Sequence, residues 1–275
     1  MNYVQQLQGA YDAREARAVY MLVMEKAFGL SPTQVLMGKD KELSSQKRAK
    51  LENIVSRLLQ GEPVQYTLGE ADFYGHAFRV TPSVLIPRPE TEDLVSAVLS
   101  EKHTPCSVLD IGTGSGCIAI SLALEGLSVT AMDISEEAIA VASDNARDLN
   151  ARVSFVKDDI LHPQPTDCMW DAIVSNPPYV CRSEAAEMER HVLEHEPHLA
   201  LFVPDRDPLL FYRAIAQYAV QHLCVNGRIY LECNRTYVGD VGDILVRNHF
   251  TDVRTLQDRY GNPRIVTATL TDSQT

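Results

Sequence analysis

The sequence predicts an α/β fold in which a mostly parallel sheet carries helices on both faces and follows a small helical domain. Three observations lead to this prediction. The first sixty residues show only the helical spacing of apolar residues. From about residue 89, short apolar runs alternate with helical segments, which is typical of a parallel sheet. A strand, a glycine-rich turn and a helix follow one another near residue 112.

The composition restricts the function classes. The chain has 275 residues, with 25 Lys and Arg against 37 Asp and Glu, so its net charge is −12. Such a surface repels phosphate backbones, and direct nucleic-acid binding is not expected. No secretory signal and no run of ~18 apolar residues are evident. Six cysteines without a C-x-x-C pair are typical of reduced thiols. We expect a cytoplasmic monomer without membrane partners.

The helical domain is predicted over residues 1–65. Asp12 with Glu15 three residues later has the pattern of a capping box. Ser31-Pro32 and Ser44 mark two further helix starts. No catalytic constellation lies in this segment, so a structural cap and a partner-docking module both remain open.

Residues 66–88 are predicted to form a β-hairpin linker. β-forming residues such as Tyr66 and Phe78 are interrupted here by Gly75 and other turn residues. Residues 89–275 are predicted to form the α/β domain. Its predicted strands are Cys106–Ile111, Ser128–Met132, Val153–Val156, Ala172–Ser175, Arg228–Glu232, a strand at Val253, and Ile265–Leu270. Its predicted helices are one carrying Leu94, Val95 and Val98, then Ser115–Leu124, Glu136–Leu149, Leu209–Leu223 and Val238–Arg247.

The glycine-rich turn is the strongest local signal for a cofactor. It reads Asp110, Ile111, Gly112, Thr113, Gly114, Ser115, Gly116. Glycine lets the backbone turn sharply and approach a ligand closely. Asp133 lies 21 residues beyond Gly112 at the tip of the next predicted strand, where a carboxylate can accept both hydroxyls of a ribose. A nucleoside cofactor is therefore predicted.

Three cofactor classes compete for this turn. A P-loop lacks its lysine here, and a dinucleotide fingerprint lacks its third glycine because Cys117 stands there. S-adenosyl-L-methionine has no pyrophosphate and suits the turn, with Asp110 facing its methionine end. A carboxylate after the third strand can accept a hydrogen bond from the adenine amine. Spacing leaves both Asp158 and Asp159 open for that contact.

A second motif, Asn176-Pro177-Pro178-Tyr179, ends the fourth predicted strand. The amide oxygen of Asn176 and the backbone carbonyl of Pro177 form a rigid pair of acceptors, since proline fixes the backbone. Such a pair suits a planar –NH2 group that faces an electrophile, with Tyr179 as an aromatic wall. That nitrogen is a poor nucleophile. Holding it in position against a reactive methyl group is therefore the main way to accelerate the reaction.

Together the two motifs resemble the amino-group branch of the class I methyltransferases. Further segments extend the resemblance over nearly the whole chain, to the release factor glutamine methyltransferases of the PrmC or HemK family. These segments are Phe73–Gly75, Leu85–Glu92, Glu196–Leu201, Gly227–Glu232, Tyr260–Asn262 and Arg264.

The resemblance implies a Rossmann-like class I methyltransferase sheet whose last strand is antiparallel. It implies N5-methylation, with S-adenosyl-L-methionine, of the glutamine in the Gly-Gly-Gln motif of class 1 peptide release factors. The residues Asn176 to Tyr179 then bind that glutamine, with Asn176 also at the cofactor. The glycine turn, Asp133 and the Asp158–Asp159 region hold the cofactor. We expect Pro87 to Glu90 to cover the pocket.

Four alternatives remain. A ribosomal-protein glutamine methyltransferase shares most motifs. An adenine N6 methyltransferase of DNA or RNA uses the same amine chemistry, although the acidic charge argues against it. A regulatory module that only binds cofactor conflicts with an intact Asn-Pro-Pro-Tyr motif. The sequence from His191 to His195 matches an inverted zinc-peptidase pattern, but Pro197 is expected to interrupt its helix and leave a solvated loop. No metal is expected.

Overall fold

The structure is a computed structural model that describes residues 3–100 and 107–271. Its α-helices are α1 Tyr3–Leu7, α2 Ala13–Phe28, α3 Pro32–Leu36, α4 Ser45–Leu59, α5 Val64–Leu68, α6 Thr91–Leu99, α7 Cys117–Leu124, α8 Glu136–Asp148, α9 Arg190–His195, α10 His198–Leu201, α11 Leu210–His222 and α12 Val238–Arg247. Its strands are β1 Glu70–Phe73, β2 His76–Arg79, β3 Ser107–Ile111, β4 Ser128–Asp133, β5 Val153–Lys157, β6 Trp170–Ser175, β7 Val180–Cys181, β8 Phe202–Val203, β9 Leu223–Glu232, β10 Phe250–Gln257 and β11 Pro263–Leu270. Short 3-10 helices span Lys39–Glu42 and Arg182–Glu187.

The first of two compact units comprises residues 3–70 and 188–195 of the described chain. Asp12, Ser31 and Ser44 are the N-caps of α2, α3 and α4, and each side chain accepts backbone N–H bonds. The reciprocal bond of a capping box is formed by Gln34, whose Oε1 accepts the Ser31 N–H at 2.9 Å. The predicted N-terminal helices are thus confirmed, and their apolar stripes form one buried cluster.

The second unit comprises residues 71–100, 107–187 and 196–271. Its seven-stranded sheet has the order β10-β11-β9-β6-β3-β4-β5. Strands β9, β6, β3, β4 and β5 are mutually parallel, and β11 is antiparallel to both β9 and β10. The predicted mostly parallel sheet with an antiparallel last strand is confirmed.

Apolar side chains cover both faces of this sheet. Within β6, Ile173 contributes to the cluster beneath α11 and α12, whereas its neighbour Val174 contributes to the cluster beneath α6 and α7. Successive side chains of a strand point to opposite faces, so continuous apolar runs produce a sheet buried on both sides. Trp170, which begins β6, packs in the first of these clusters.

Three local expectations differ from the structure. Tyr66 lies in the short helix α5 because Pro63 is the N-cap of that helix and Gly69 ends it, so the hairpin comprises only β1 and β2. Helix α7 begins at Cys117 instead of Ser115, because Gly116 has φ +81° and is its N-cap. A further predicted boundary, the strand start at Cys106, lies outside the described residues and is not one of the three differences.

The zinc-peptidase pattern is the third difference. His191 to His195 fall on the six-residue helix α9, not in a loop, and the His195 imidazole contacts the carbonyl of His191 at 3.1 Å. The expected interruption is confirmed, because α9 ends at His195 and Pro197 is the N-cap of α10. Among residues 3–100 and 107–271, none of the helices is both long and apolar enough to cross a membrane.

Candidate active site

A cavity of about 480 Å³ opens in the second unit where the parallel strands β3, β4 and β6 end. The carboxyl ends of parallel strands are the usual place for ligands in open α/β sheets. The residues of the predicted site that line it are Gly112, Gly114, Asp133, Asp158, Asp159, Asn176, Pro177 and Pro178. The turn after β3 and the motif after β6, which are 64 residues apart at Gly112 and Asn176, therefore share one cavity.

The glycine turn is fixed by backbone bonds and by the lack of side chains. The N–H groups of Gly112 and Thr113 donate to the Met132 carbonyl at 2.8 and 3.0 Å. A Cβ atom on Gly112 meets no other heavy atom within 4 Å, so it would project into open space at the cavity. A Cβ on Gly116 would lie 2.9 Å from Ile120 Cδ1. Gly112 thus leaves room for a ligand, and Gly116 allows close helix packing.

A buried asparagine holds this turn in place by hydrogen bonds to its backbone. The Asn145 side chain, only 2% exposed, donates from Nδ2 to the carbonyl oxygens of Ser115 and Arg79 at 2.9 and 3.0 Å. Its Oδ1 accepts the Arg79 N–H at 2.7 Å. This one amide joins α8 to the hairpin and to the glycine turn. The segment predicted as a linker is therefore hydrogen-bonded to the α/β unit.

Asp110 precedes Ile111, the last residue of β3; Ile111 lines the cavity, whereas Asp110 is completely buried and does not. Thr113 Oγ1 donates to its Oδ2 at 2.7 Å, while Oδ1 has no partner among the described residues. Burial, with a smaller contribution from the charge of Asp133, raises the pKa of this carboxyl to about 7 against the opposing effect of the Thr113 bond. An unpartnered buried carboxylate oxygen has a strong preference for a nearby cation.

Asp133 lines the cavity at the tip of β4. Its Oδ2 accepts the Gly114 N–H and its Oδ1 accepts the Ser135 N–H, both at 2.9 Å. Burial raises its pKa, and the bonds from the backbone of Ser135 and Gly114 oppose that shift. A carboxylate oxygen has two lone-pair sites, so each oxygen retains one acceptor position for a ligand.

Asp158 and Asp159 both line the cavity but are held differently. Asp158 accepts the backbone N–H groups of Asp159 and Gln164 and so organises its own loop. Asp159 Oδ1 accepts the Leu161 N–H at 2.9 Å, and its Oδ2 contacts the exposed His162 ring at 3.0 Å. Either carboxylate has an oxygen with spare acceptor capacity, so the adenine contact stays open between the two.

The Asn176 side chain is oriented by a residue from α6. Its Nδ2 donates to Thr91 Oγ1 at 3.2 Å, and its Oδ1 has no partner among the described residues. Pro177 and Pro178 follow in the cavity wall. Tyr179 does not line the cavity; its ring packs against the hydrophobic cluster beneath α11, and burial raises the pKa of its hydroxyl. Thr113, Ser115 and Gly116 also lie outside the lining and support the turn.

An ion pair between the partly exposed Arg88 and the buried Glu196 joins two further segments of the site. Arg88 Nη2 donates to Glu196 Oε1 at 2.6 Å, and the Ile86 N–H donates to Glu196 Oε2 at 3.3 Å. The lining on this side consists of Ser83, Val84, Leu85, Pro197, Leu199 and Ala200. Pro87 to Glu90 are not among the lining residues, whereas Ser83 to Leu85 shortly before them are, so a covering role for Pro87 to Glu90 stays a prediction. The pairing of Arg88 with Glu196 over 108 positions has no local signal in the sequence.

Two further groups escaped the sequence interpretation. Thr91 and Glu232 lie within motifs that carried the resemblance, but nothing assigned them a role. Thr91 Oγ1 donates to Glu232 Oε2 at 2.8 Å, and both side chains are buried. The sequence contained one signal for this pair, a glutamate at the end of the apolar run of β9. A buried carboxylate at such a position requires a hydrogen-bond partner.

Comparison with known proteins places these features in a family. The PrmC N-terminal domain model matches residues 2–69, and the methyltransferase small domain model matches residues 90–198. The release factor glutamine methyltransferase of Bacteroides thetaiotaomicron is 47% identical over 267 residues, which cover 96% of each chain. That of Flavobacterium psychrophilum is 39% identical over 271 residues, 96% of this chain and 95% of the relative.

The fold has matches among solved structures as well. A methyltransferase from Pyrococcus furiosus superposes with a TM-score of 0.54 at 16% identity, over 83% of this chain and 100% of that one. At this identity the likeness concerns the fold alone, and it agrees with a Rossmann-like methyltransferase sheet.

Proposed function

Because the chain belongs to the release factor glutamine methyltransferase family, we propose that it methylates the N5 atom of the glutamine in the Gly-Gly-Gln motif of class 1 peptide release factors. S-adenosyl-L-methionine is the proposed methyl donor. The observation that carries the proposal is that Asn176 and Pro177 line the same cavity as Gly112 and Asp133. Substrate and cofactor groups can therefore meet within one cavity.

The residues present fit the cofactor. Gly112 and Gly114 leave open space where side chains would stand. The free oxygen of the buried Asp110 suits the cationic ammonium of the methionine end. Asp133 has acceptor positions for the ribose hydroxyls, and Asp158 or Asp159 has one for the adenine amine.

The chemistry requires a held amide nitrogen. When bound, S-adenosyl-L-methionine would supply a sulfonium methyl group to the nitrogen lone pair, with the neutral thioether as leaving group, and the proton that the nitrogen loses would pass to water. Asn176 Oδ1 and the Pro177 carbonyl accept the two N–H bonds of the glutamine amide. Accepting these bonds raises electron density on nitrogen and fixes its direction, and positioning of this kind accounts for a large part of a rate enhancement.

The test is a transfer assay with S-adenosyl-L-methionine carrying a labelled methyl group. Wild-type release factor is compared with a variant whose Gly-Gly-Gln glutamine is alanine. We expect label on the wild-type factor alone. Asn176→Ala is expected to lower kcat by about 10²- to 10³-fold. Asn53→Ala, an exposed site on α4, is the matched control and leaves kcat unchanged.

Other acceptors decide the substrate assignment. Ribosomal protein and duplex DNA are offered in the same assay, alone and as competitors. Label on either of them, with none on the release factor, would overturn the proposed substrate. Label on the release factor that persists in its glutamine variant would overturn the proposed target residue.

A further inference from the structure

A hydrogen-bonded chain of three side chains, two of them buried, connects the Asn-Pro-Pro-Tyr motif to the interior of the sheet. Asn176 Nδ2 donates to Thr91 Oγ1 at 3.2 Å, and Thr91 Oγ1 donates to Glu232 Oε2 at 2.8 Å. Thr91 and Glu232 are 3% and 1% exposed. The three residues follow β6, begin α6 and end β9, so distant segments contribute to a single contact.

The direction of these hydrogen bonds follows from the chemistry of a hydroxyl group. Threonine has one proton to donate, and an ionised Glu232 is an acceptor only. The hydroxyl proton of Thr91 therefore points to Glu232, and its oxygen can only accept from Asn176. An asparagine amide has an oxygen end and an NH2 end of nearly equal shape. The NH2 end of Asn176 must face Thr91, which leaves its oxygen for the cavity.

The surroundings of Glu232 determine when it is ionised. Burial raises its pKa to about 7, while the Thr91 bond and the positive charges of Arg264 and Arg88 oppose the shift. The titratable and charged groups that act on it or sense it are Arg88, Glu90, Cys117, Tyr179, Tyr212, Cys233 and Arg264. At a pH above 7 the carboxylate holds the hydroxyl proton in the direction described.

We propose that Thr91 and Glu232 are positioning residues that determine which end of the Asn176 amide faces the substrate. The inference rests on the proposed function, in which the Asn176 oxygen accepts a hydrogen bond from the glutamine amide. If Asn176 turned over, its NH2 group would face the substrate NH2 group, and two donors cannot bond. The pair thus selects a productive acceptor without contacting substrate or cofactor.

Thr91→Val tests the proposal because it keeps the shape of the side chain and removes the hydroxyl. At about pH 8.5, where Glu232 is ionised, we expect kcat to fall about 10- to 100-fold. The Kd of the cofactor should stay unchanged, because Thr91 does not line the cavity. Thr91→Ser retains the hydroxyl and is expected to restore most of the lost kcat.

Thr267→Val is the matched control. Thr267 is 2% exposed in β11, and its Oγ1 has no partner among the described residues. It therefore loses a buried hydroxyl without losing an acceptor for Asn176, and kcat should remain that of the wild type. An equal fall in kcat for Thr267→Val and Thr91→Val would overturn the proposal, as would a Thr91→Val variant with wild-type kcat.

A second readout needs no turnover. The side-chain NH2 protons of Asn176, assigned in a ¹⁵N spectrum by their loss in Asn176→Ala, report the bond to Thr91. We expect their exchange with water to accelerate about tenfold in Thr91→Val, the equivalent of one lost hydrogen bond, and not in Thr91→Ser. Unchanged exchange in Thr91→Val would overturn the inferred orientation.

The two proposals fail in different ways. If wild-type protein transfers no methyl group to the release factor, the proposed function fails, and the exchange rates still decide the orientation of Asn176. If wild-type protein is active but Thr91→Val changes only the KM for the release factor, the positioning role fails while the function stands.

Discussion

The carboxylate of Glu196 accepts a hydrogen bond from Arg88 at 2.6 Å, although the Glu196 side chain is completely buried. This pair connects the segment before α6 to the segment that begins α10, and both segments line the cavity. The ion pair therefore joins two segments whose neighbouring residues line the proposed substrate site.

Arg88→Ala is expected to lower the free energy of unfolding by about 2 to 3 kcal/mol, because it leaves the buried Glu196 carboxylate without its cation; the loss stays below that of a fully buried pair because the Arg88 side chain is 34% exposed. Arg147→Ala is the control, since Arg147 pairs with Asp144 and Asp148 on the surface and an exposed pair contributes at most about 1 kcal/mol. Urea denaturation of both variants measures the difference. Similar losses for the two arginines would contradict a structural role for the Arg88 pair.

The affinity for S-adenosyl-L-methionine is expected to depend on pH through Asp110. Its pKa is raised to about 7 in the free protein, and a bound cation favours the ionised form. Binding therefore releases a proton, and below pH 7 the Kd should rise by about tenfold per pH unit. Calorimetry in buffers of different ionisation enthalpy measures the proton release. Asp110→Asn should bind weakly with a flat pH profile, whereas Asp144→Asn on the surface of α8 should keep the slope.

The kcat at saturating substrates is expected to rise with pH through the pKa of Glu232, which is raised to about 7. The group is effective in its ionised form, so its contribution is present above this pKa and is lost as the pH falls through it. Measuring kcat from about pH 6 to about pH 9 reveals the slope. Glu232→Gln cannot ionise and should give a flat profile. A slope that survives this substitution belongs to another group.

Gly112 and Gly116 of the turn are expected to differ in how much stability a methyl group costs. Gly116→Ala should be the most destabilising, since its Cβ would lie 2.9 Å from Ile120 Cδ1 and 3.0 Å from Ala142 Cβ. Strain at positive φ adds about 1–2 kcal/mol, and crowding adds about 1–3 kcal/mol. Gly112→Ala carries only the strain, but its methyl group enters the cavity and should weaken cofactor binding.

Gly126→Ala is the control for this comparison. Gly126 has φ +95° and open space where a Cβ would stand, and it lies outside the cavity lining. It should lose as much stability as Gly112→Ala but keep the wild-type Kd for the cofactor. Thermal unfolding and calorimetry separate the two effects. Equal cofactor affinity in both variants would show that Gly112 is not close to the ligand.

Local sequence patterns were sufficient to predict most strands of the sheet. The apolar run at β3 and the helix at α12 were predicted within a residue or two because burial and amphipathic spacing are properties of short segments. Tyr66 was assigned wrongly for the same reason. Tyr66 has a high β-propensity, but Pro63 is an N-cap and Gly69 ends a helix, and these two signals place the five residues between them in a helix.

The polar supports of the site could not be predicted in this way. Thr91 and Glu232 are 141 positions apart, and Arg88 and Glu196 are 108 apart. Their pairing depends on which strands become neighbours, and no local period encodes that. Sequence motifs therefore revealed the groups proposed to contact ligands, whereas the structure was needed for the groups that hold them.

The position of β11 has a consequence for folding during synthesis. Leu223–Glu232 and Phe250–Gln257 emerge from the ribosome before Pro263–Leu270, yet neither strand pairs with the other. Until the last strand arrives, β9 has one open edge and β10 has no strand partner in the sheet. Open edges invite pairing with other chains. A nascent chain that has not yet added β11 therefore exposes strand edges that can pair with other chains.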